Sequence, residues 1–429
     1  MQGFSGWQRQ ALLLIAFVLV AAPLVGFRAV NDKPLSVLDE LQYADRVHAV
    51  AQGHLFMREG EAVSRWAHVV RACRGVTGVG EPTRPPCRPG PNPEVLINYA
   101  ASDPVPYFVA TGLMAGALEK SGVVDDGPAA ARLVGIVWAG LSMWTLWLLT
   151  RAFGTGRAAS LVVASTVVPV PVFLQQYTKV TPHAPDIPVG AFAAPATLRY
   201  LRREWPVWVL VLAAVAIVGV KGSNVVAAVA IGITLAAVVL WPNTIERGAR
   251  ARAVVGGVVL TVSTVGLLIG HQWLLSATRI ADHPPPGNFV VERLDWFYVT
   301  RDSVKFLSSW GESGPVAPGA WLVLALGGPA MVTRAGLIPD LPAYVRQFAP
   351  GYLPGALLGA VVLDVIVFVT TQQQFGVHVR YGLAVFPDRP RPGGAPAAHA
   401  CGGRARVPVP GPLRSPARHL LPRHDCGLR

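Results

Sequence analysis

The sequence predicts an all-α, polytopic membrane bundle, and three observations predict it. Hydrophobic residues make up 52% of the 429-residue chain and charged residues only 14%, whereas a soluble domain carries about 25% charged residues. Mean hydropathy is +0.43. The apolar residues are gathered into repeated runs approaching the ~20 that a helix needs to cross a bilayer, and the charges cluster at the ends of those runs.

Taken in order, the first run covers residues 11–27. Only Arg9 precedes it, and no small-residue cleavage site follows. Because many further runs come after it, it reads as an uncleaved signal anchor rather than a removable leader. A polar loop, 31–103, leads to a shorter run at 104–118. Further runs occupy 129–149, 158–174, 187–198, 205–220, 225–241 and 253–275. A second loop, 276–318, precedes runs at 320–332 and 352–370, and residues 375–387 open what resembles another span.

Basic residues in short loops set the expected orientation. Arg151 with Arg157, Arg199 with Arg202 and Arg203, Arg247 with Arg250 and Arg252, and finally Arg334 mark cytoplasmic junctions. The intervening loops at 179–186, 221–224, 276–318 and 372–381 are then external. Parity holds only if 104–118, which contains Pro104, Pro106 and Gly112, is re-entrant or surface-lying.

The first loop opens with residues 36–53, where Leu38, Leu41, Ala44, Val47 and Ala51 recur at helical spacing. This predicts a short amphipathic helix at the membrane surface, with Asp39, Glu40, Asp45, Arg46 and His48 turned elsewhere. Two readings of the acidic pair stand side by side. Ser36 and Asp39 fit a helix-capping arrangement; alternatively Asp39, with Glu40, is a catalytic base facing the lipid–water boundary. Cys73 and Cys87 bracket a Gly/Pro/Arg-rich stretch of the same loop and read as one disulfide, the alternative being two free thiols. Without histidines at ligand spacing they do not make a zinc site.

From Asp388 the composition changes abruptly. The last 42 residues hold eight prolines and eight arginines, with no aromatic residue, Ile, Met or Lys. Such a segment cannot bury a core and is expected to be disordered. It reads as an out-of-frame translation that replaces later spans, or as a basic lipid-binding tail. Much of the net charge of +13 lies there, so the basic balance is no argument for nucleic acid.

The external loops supply the expected chemistry. A carboxylate can deprotonate an acceptor hydroxyl, and cations at span ends can hold a lipid phosphate and stabilise a leaving group as it gains charge. Candidates are Asp39, Glu40 and Asp186 as acids, and Tyr43, Tyr107, Lys179, His183, Lys221 and Arg380 as substrate contacts. Each has a plainer role: Lys179, Lys221 and Arg380 can snorkel, the aromatic run 296–298 can form an interface belt, and Asp186 can cap a helix. Nucleotide-binding glycine loops, zinc-protease motifs and serine-hydrolase elbows are absent from the sequence. No cofactor is implied, and a divalent metal stays open.

A first span followed by an external Asp39-Glu40 pair, Tyr43 and a helix ending at Gly53 resembles the opening of GT-C superfamily glycosyltransferases. It is similar also to a family of predicted bacterial membrane proteins with a D-E-x-x-[HY] signature. Asn98-Tyr99 and residues 104–108 (Pro-Val-Pro-Tyr-Phe) resemble that family's Pro-Pro-aromatic stretch, with Val105 inside the Pro-Pro position, and 179–186 resembles its further acidic loop. The resemblance covers residues 11–203. It implies Asp39 as base, Glu40 as its neighbour and Asp186 as a second acid. It also implies a polyprenyl-phosphate-linked sugar as donor and an extracytoplasmic cell-envelope acceptor, with the enzyme in the plasma membrane among its lipids. The alternative is a non-enzymatic envelope-assembly protein or a lipid-linked glycan transporter. Protein partners are not read from the sequence.

Overall fold

A computed structural model describes residues 6–280, apart from 37–38, 78–95, 153–154, 166, 169–170 and 241–246, together with scattered positions between 293 and 369. Helices dominate, and among the described residues the only β pairings are two isolated bridges, Leu35 with Val76 and Ala62 with Ile97. The chain is an all-α polytopic bundle. Residues 320–332, Arg380, Cys87 and the tail from Asp388 lie outside the described residues, as do Tyr298 and most of 352–370.

Helix α1 (Gly6–Asn31) is the first span, with Pro23 inside it. Its residues Trp7–Asn31 are long and apolar enough to cross a membrane, as are Gly127–Ala152, Gly222–Leu240 and Gly248–Thr278. The second of these stretches is α5 (Gly127–Leu133) running into α6 (Gly135–Ala152). The run expected at 158–174 is two helices, α7 (Arg157–Ser165) and α8 (Pro171–Thr178). The sequence places Pro169 and Pro171 at that junction, and proline removes a donor and clashes with the preceding turn. After α9 (Asp186–Leu201) and α10 (Trp208–Val220), the spans α11 (Val225–Leu240) and α12 (Arg247–Thr278) complete the described bundle.

Two cores form. The first gathers Phe17, Ala21 and Val25 of α1 with Ala139, Met143 and Leu146 of α6. The second gathers Leu210, Ala213 and Ile217 of α10 with Val226, Leu235 and Leu260 of α11 and α12. Helix α9 packs on both α6 and α10 and joins the two. Small residues such as Ala139 and Ala213 allow the close approach that helices in lipid rely on.

The first loop carries α2 (Glu40–Ala51) and α3 (Arg65–Arg74), and α2 packs on α4 (Val105–Lys120), the run that follows the loop. Helices α2 and α4 run parallel. Tyr43 and Arg46 meet Phe108, Gly112 faces Val47 and Val50, and Gly116 faces Ala51. Before α4 the Asp103 carbonyl accepts from Arg46 of α2, and beyond it Gly127 of α5 lies against Glu119 of α4 and Trp66 of α3.

One expectation needs correction. Helix α2 does not lie with its polar side in water: Glu40, Asp45 and Arg46 are almost fully buried. Asp45 accepts from the Ser64 amide at 3.1 Å, the Ser64 hydroxyl, and Asn98 Nδ2 at 2.9 Å. Arg46 donates to the carbonyls of Ala100 and Asp103 and lies 4.0 Å over the Phe108 ring. Burial pulls its guanidinium down to about 10, against the pull of the Asp103 carboxylate. Apart from Ser64, 19 residues on, these partners lie more than fifty residues away in sequence, so a local polar stripe could not announce them.

Candidate functional site

Apart from Arg380, which lies outside the described residues, the polar groups singled out in the sequence stand at one end of the bundle, built upward from Glu40. Its carboxylate receives Arg132 Nε at 2.6 Å and Nη2 at 2.8 Å, in a bidentate pair with both side chains buried. The Ser36 amide donates to it at 2.6 Å and the Val180 amide at 3.1 Å. Arg132 also reaches the carbonyls of Asp32 and Pro34. A buried ion pair is tolerated only with such complete satisfaction of its donors and acceptors. Glu40 thus ties the end of α1, the start of α2, helix α5 and the 179–186 loop together.

Asp39 immediately precedes this anchor and behaves differently. It is exposed, its backbone is left-handed at φ 61° and ψ 6°, and its side chain makes no capping hydrogen bond. Left-handed backbone is costly for a residue with a Cβ, although Asp is among the more tolerant. The capping arrangement expected of Ser36 and Asp39 is therefore not formed through Asp39; the carboxylate that bonds the Ser36 amide belongs to Glu40. The Asp39 carbonyl accepts from the amides of Gln42 and Tyr43, which starts α2 without help from its side chain.

The 179–186 loop crosses this end. Lys179 lies 3.4 Å from Asp32, and burial, then the Arg132 charge, lowers its ammonium below the ordinary lysine value, opposed by Glu40 and Asp32. The Thr181 amide donates to the Tyr107 hydroxyl at 3.1 Å. His183 Nδ1 meets Asp186 Oδ2 at 2.7 Å, and Asn224 Nδ2 donates to Asp186 Oδ1 at 2.9 Å, with all three residues buried. Asp186 opens α9, but its carboxylate locks this loop to the start of α11 rather than facing solvent.

Lys221 follows the end of α10, 3.3 Å from the Tyr43 hydroxyl and 3.3 Å from Asp103 Oδ2. Asp103 and Arg132 were missed from the sequence as members of this end. Asp103 reads as the last residue of a polar loop, and Arg132 as a charge inside an apolar run, which by itself signals an interior partner. Cys73 is disulfide-bonded, while Cys87 lies outside the described residues. Among the described residues no three His, Cys, Asp or Glu side chains converge as a metal set.

The opposite end carries the basic clusters. The Tyr200 hydroxyl donates to the Arg252 carbonyl at 3.0 Å, and Gly248 lies against Arg203, so the 199–203 and 247–252 clusters meet there.

No curated protein matches the chain. Residues 121–268 match the family described as dolichyl-phosphate-mannose-protein mannosyltransferase. The match runs from just before α5 through most of α12 and takes in Arg132, Lys179, His183, Asp186 and Lys221, but not Asp39. It bears out the resemblance stated over residues 11–203, which it overlaps from 121 to 203: this chain is similar to the membrane glycosyltransferases of the GT-C superfamily.

Proposed function

We propose that the protein transfers a sugar from a polyprenyl-phosphate carrier to an acceptor hydroxyl, with Asp39 as general base, on the extracytoplasmic side of the plasma membrane. The observation that carries this reading is the contrast between two adjacent carboxylates. Glu40 is saturated with donors, whereas Asp39 is exposed, left-handed in its backbone and uncommitted to capping. Strained backbone concentrates at functional sites when neighbouring structure over-determines it, and the Glu40–Arg132 anchor supplies that determination.

In the reaction, Asp39 takes the proton of the acceptor hydroxyl as its oxygen bonds to the anomeric carbon. The bond from that carbon to the phosphate oxygen breaks, and polyprenyl phosphate leaves with the electron pair. Lys221 and Lys179, at the ends of the helices that frame the site, offset the charge growing on the phosphate. The Tyr43 and Tyr107 hydroxyls and the Asp186–His183 pair hold the surrounding loops in place. A cell-envelope acceptor fits a site at the membrane boundary.

Proteoliposomes containing the full chain, loaded with a doubly labelled prenyl-phosphate sugar and a soluble acceptor extract, test the reading. Sugar label separating from prenyl label and joining the acceptor is expected. Both labels crossing the bilayer together, with no transfer, would replace the enzyme with a lipid-linked glycan transporter.

A further inference from the structure

One ion pair at this end contrasts with the Glu40–Arg132 anchor. Lys221 and Asp103 meet at 3.3 Å, with side chains 9% and 17% exposed, whereas Arg132 and Glu40 meet at 2.6 Å with 0% and 1% exposed. Charge-assisted bonds are strongest at about 2.7–2.9 Å, so the Lys221 contact is the longer and wetter of the two. Such a contact is exchangeable.

The surroundings are arranged for exchange. Lys221 has extended backbone, φ −157° and ψ 134°, and stands 5.3 Å over the Tyr43 ring. The next turn carries Ser223 Oγ and Asn224 Oδ1, buried polar atoms with no hydrogen-bond partner among the described residues. Buried polar atoms in native structures are normally satisfied; the Ser223 hydroxyl can donate to a phosphate oxygen, whereas Asn224 Oδ1 only accepts and suits a hydroxyl of the same ligand. Asp103 would not be stranded by the loss of Lys221. The Arg46 guanidinium, bonded to the Asp103 backbone carbonyl at 2.7 Å, also acts on its carboxylate through charge.

A carboxylate oxygen and a phosphate oxygen offer an ammonium the same chemistry. We propose that Asp103 is a built-in competitor for the Lys221 anion site: it holds the lysine in the donor-free protein, and an entering lipid phosphate displaces it onto Arg46. This deepens the proposed function, resting on its assignment of Lys221 to the donor phosphate. The carboxylate keeps the buried lysine neutralised between turnovers and sets a threshold that weak anions do not pass.

The test is binding of farnesyl phosphate to the full chain in detergent micelles. Asp103→Asn keeps the shape and the backbone carbonyl that Arg46 uses, and should tighten binding about 5- to 10-fold, within the usual range of coupling between sites. Lys221→Gln should weaken binding, and adding Asp103→Asn to it should bring no tightening. If Asp103→Asn does not fold, Asp103→Ser is measured against the same expectations. Unchanged or weaker binding by a folded Asp103 variant overturns the proposal, as does equal tightening in the Lys221→Gln background. A parallel titration with phosphatidylglycerol identifies the source of the phosphate: tightening toward either lipid upholds the exchange and says whether carrier or bulk lipid drives it. Because the readout is affinity rather than transfer, this proposal and the catalytic reading of Asp39 can fail separately.

Discussion

At the residue scale, the site is a contrast between locked and available charge. Removing the guanidinium in Arg132→Gln leaves the Glu40 carboxylate buried without its ion partner, which typically costs about 3–5 kcal/mol. Thermal unfolding in detergent should register that loss, whereas Asp39→Asn, at an exposed position, should leave the unfolding temperature close to wild type. Lys179 makes a prediction about pH. Its ammonium titrates below the ordinary 10.5, and only the protonated form attracts a phosphate. Prenyl-phosphate affinity should therefore start to fall, as pH rises, at a lower pH than an unperturbed lysine would give. Lys179→Arg, a cation throughout this range, should move that fall upward in an affinity titration; no movement would remove Lys179 from the phosphate contact. For stability the sign is opposite. The unfolded lysine holds its proton more tightly than the folded one, so this group favours folding increasingly as pH rises from its folded value to 10.5.

At the scale of elements, the parallel α2/α4 pair is packed too closely to admit a larger side chain at Gly112. A Cβ on Gly112 would come within 2.7 Å of Val50 and 2.8 Å of the Val47 carbonyl, whereas one on Gly116 would meet the Ala51 Cβ at 3.1 Å. The Val47 carbonyl is backbone and cannot rotate away. Gly112→Leu should thus force the helices apart and destabilise by about 1–3 kcal/mol or more, while Gly116→Ala should cost less. Ranking the two by thermal unfolding checks the register; a larger loss at Gly116 would contradict it. These elements were only partly readable from sequence. The 3.6-residue period of Leu41, Ala44, Val47 and Ala51 gave α2 and its apolar face, because a helix-to-helix contact is a local pattern. The fate of its other face was hidden, because Arg132, Asn98 and the Ala100 carbonyl reach it from more than fifty residues away. The same limit made Asp186 resemble an exposed helix start, when its partner Asn224 lies 38 residues further on.

At the scale of the whole molecule, the class was written in composition, since lipid demands helices with satisfied backbones and apolar surfaces. What composition cannot write is the closure of one end. Arg279, just past α12, pairs with Glu59 of the first loop at 3.1 Å, and the Ile280 amide donates to the Glu59 carbonyl at 3.0 Å. His271 Nε2 contacts the Ser102 carbonyl at 2.9 Å. The first loop is thereby fastened to α12 beside Asp103, the partner of Lys221.

The central claim for catalysis is that Asp39 removes the acceptor proton. Its most direct test is single-turnover sugar transfer by purified wild type and Asp39→Asn, each preloaded with a prenyl-phosphate sugar and mixed with acceptor. The account predicts donor binding unchanged and transfer slowed by about 100-fold or more, the usual contribution of a positioned general base. Transfer by Asp39→Asn at the wild-type rate would contradict it.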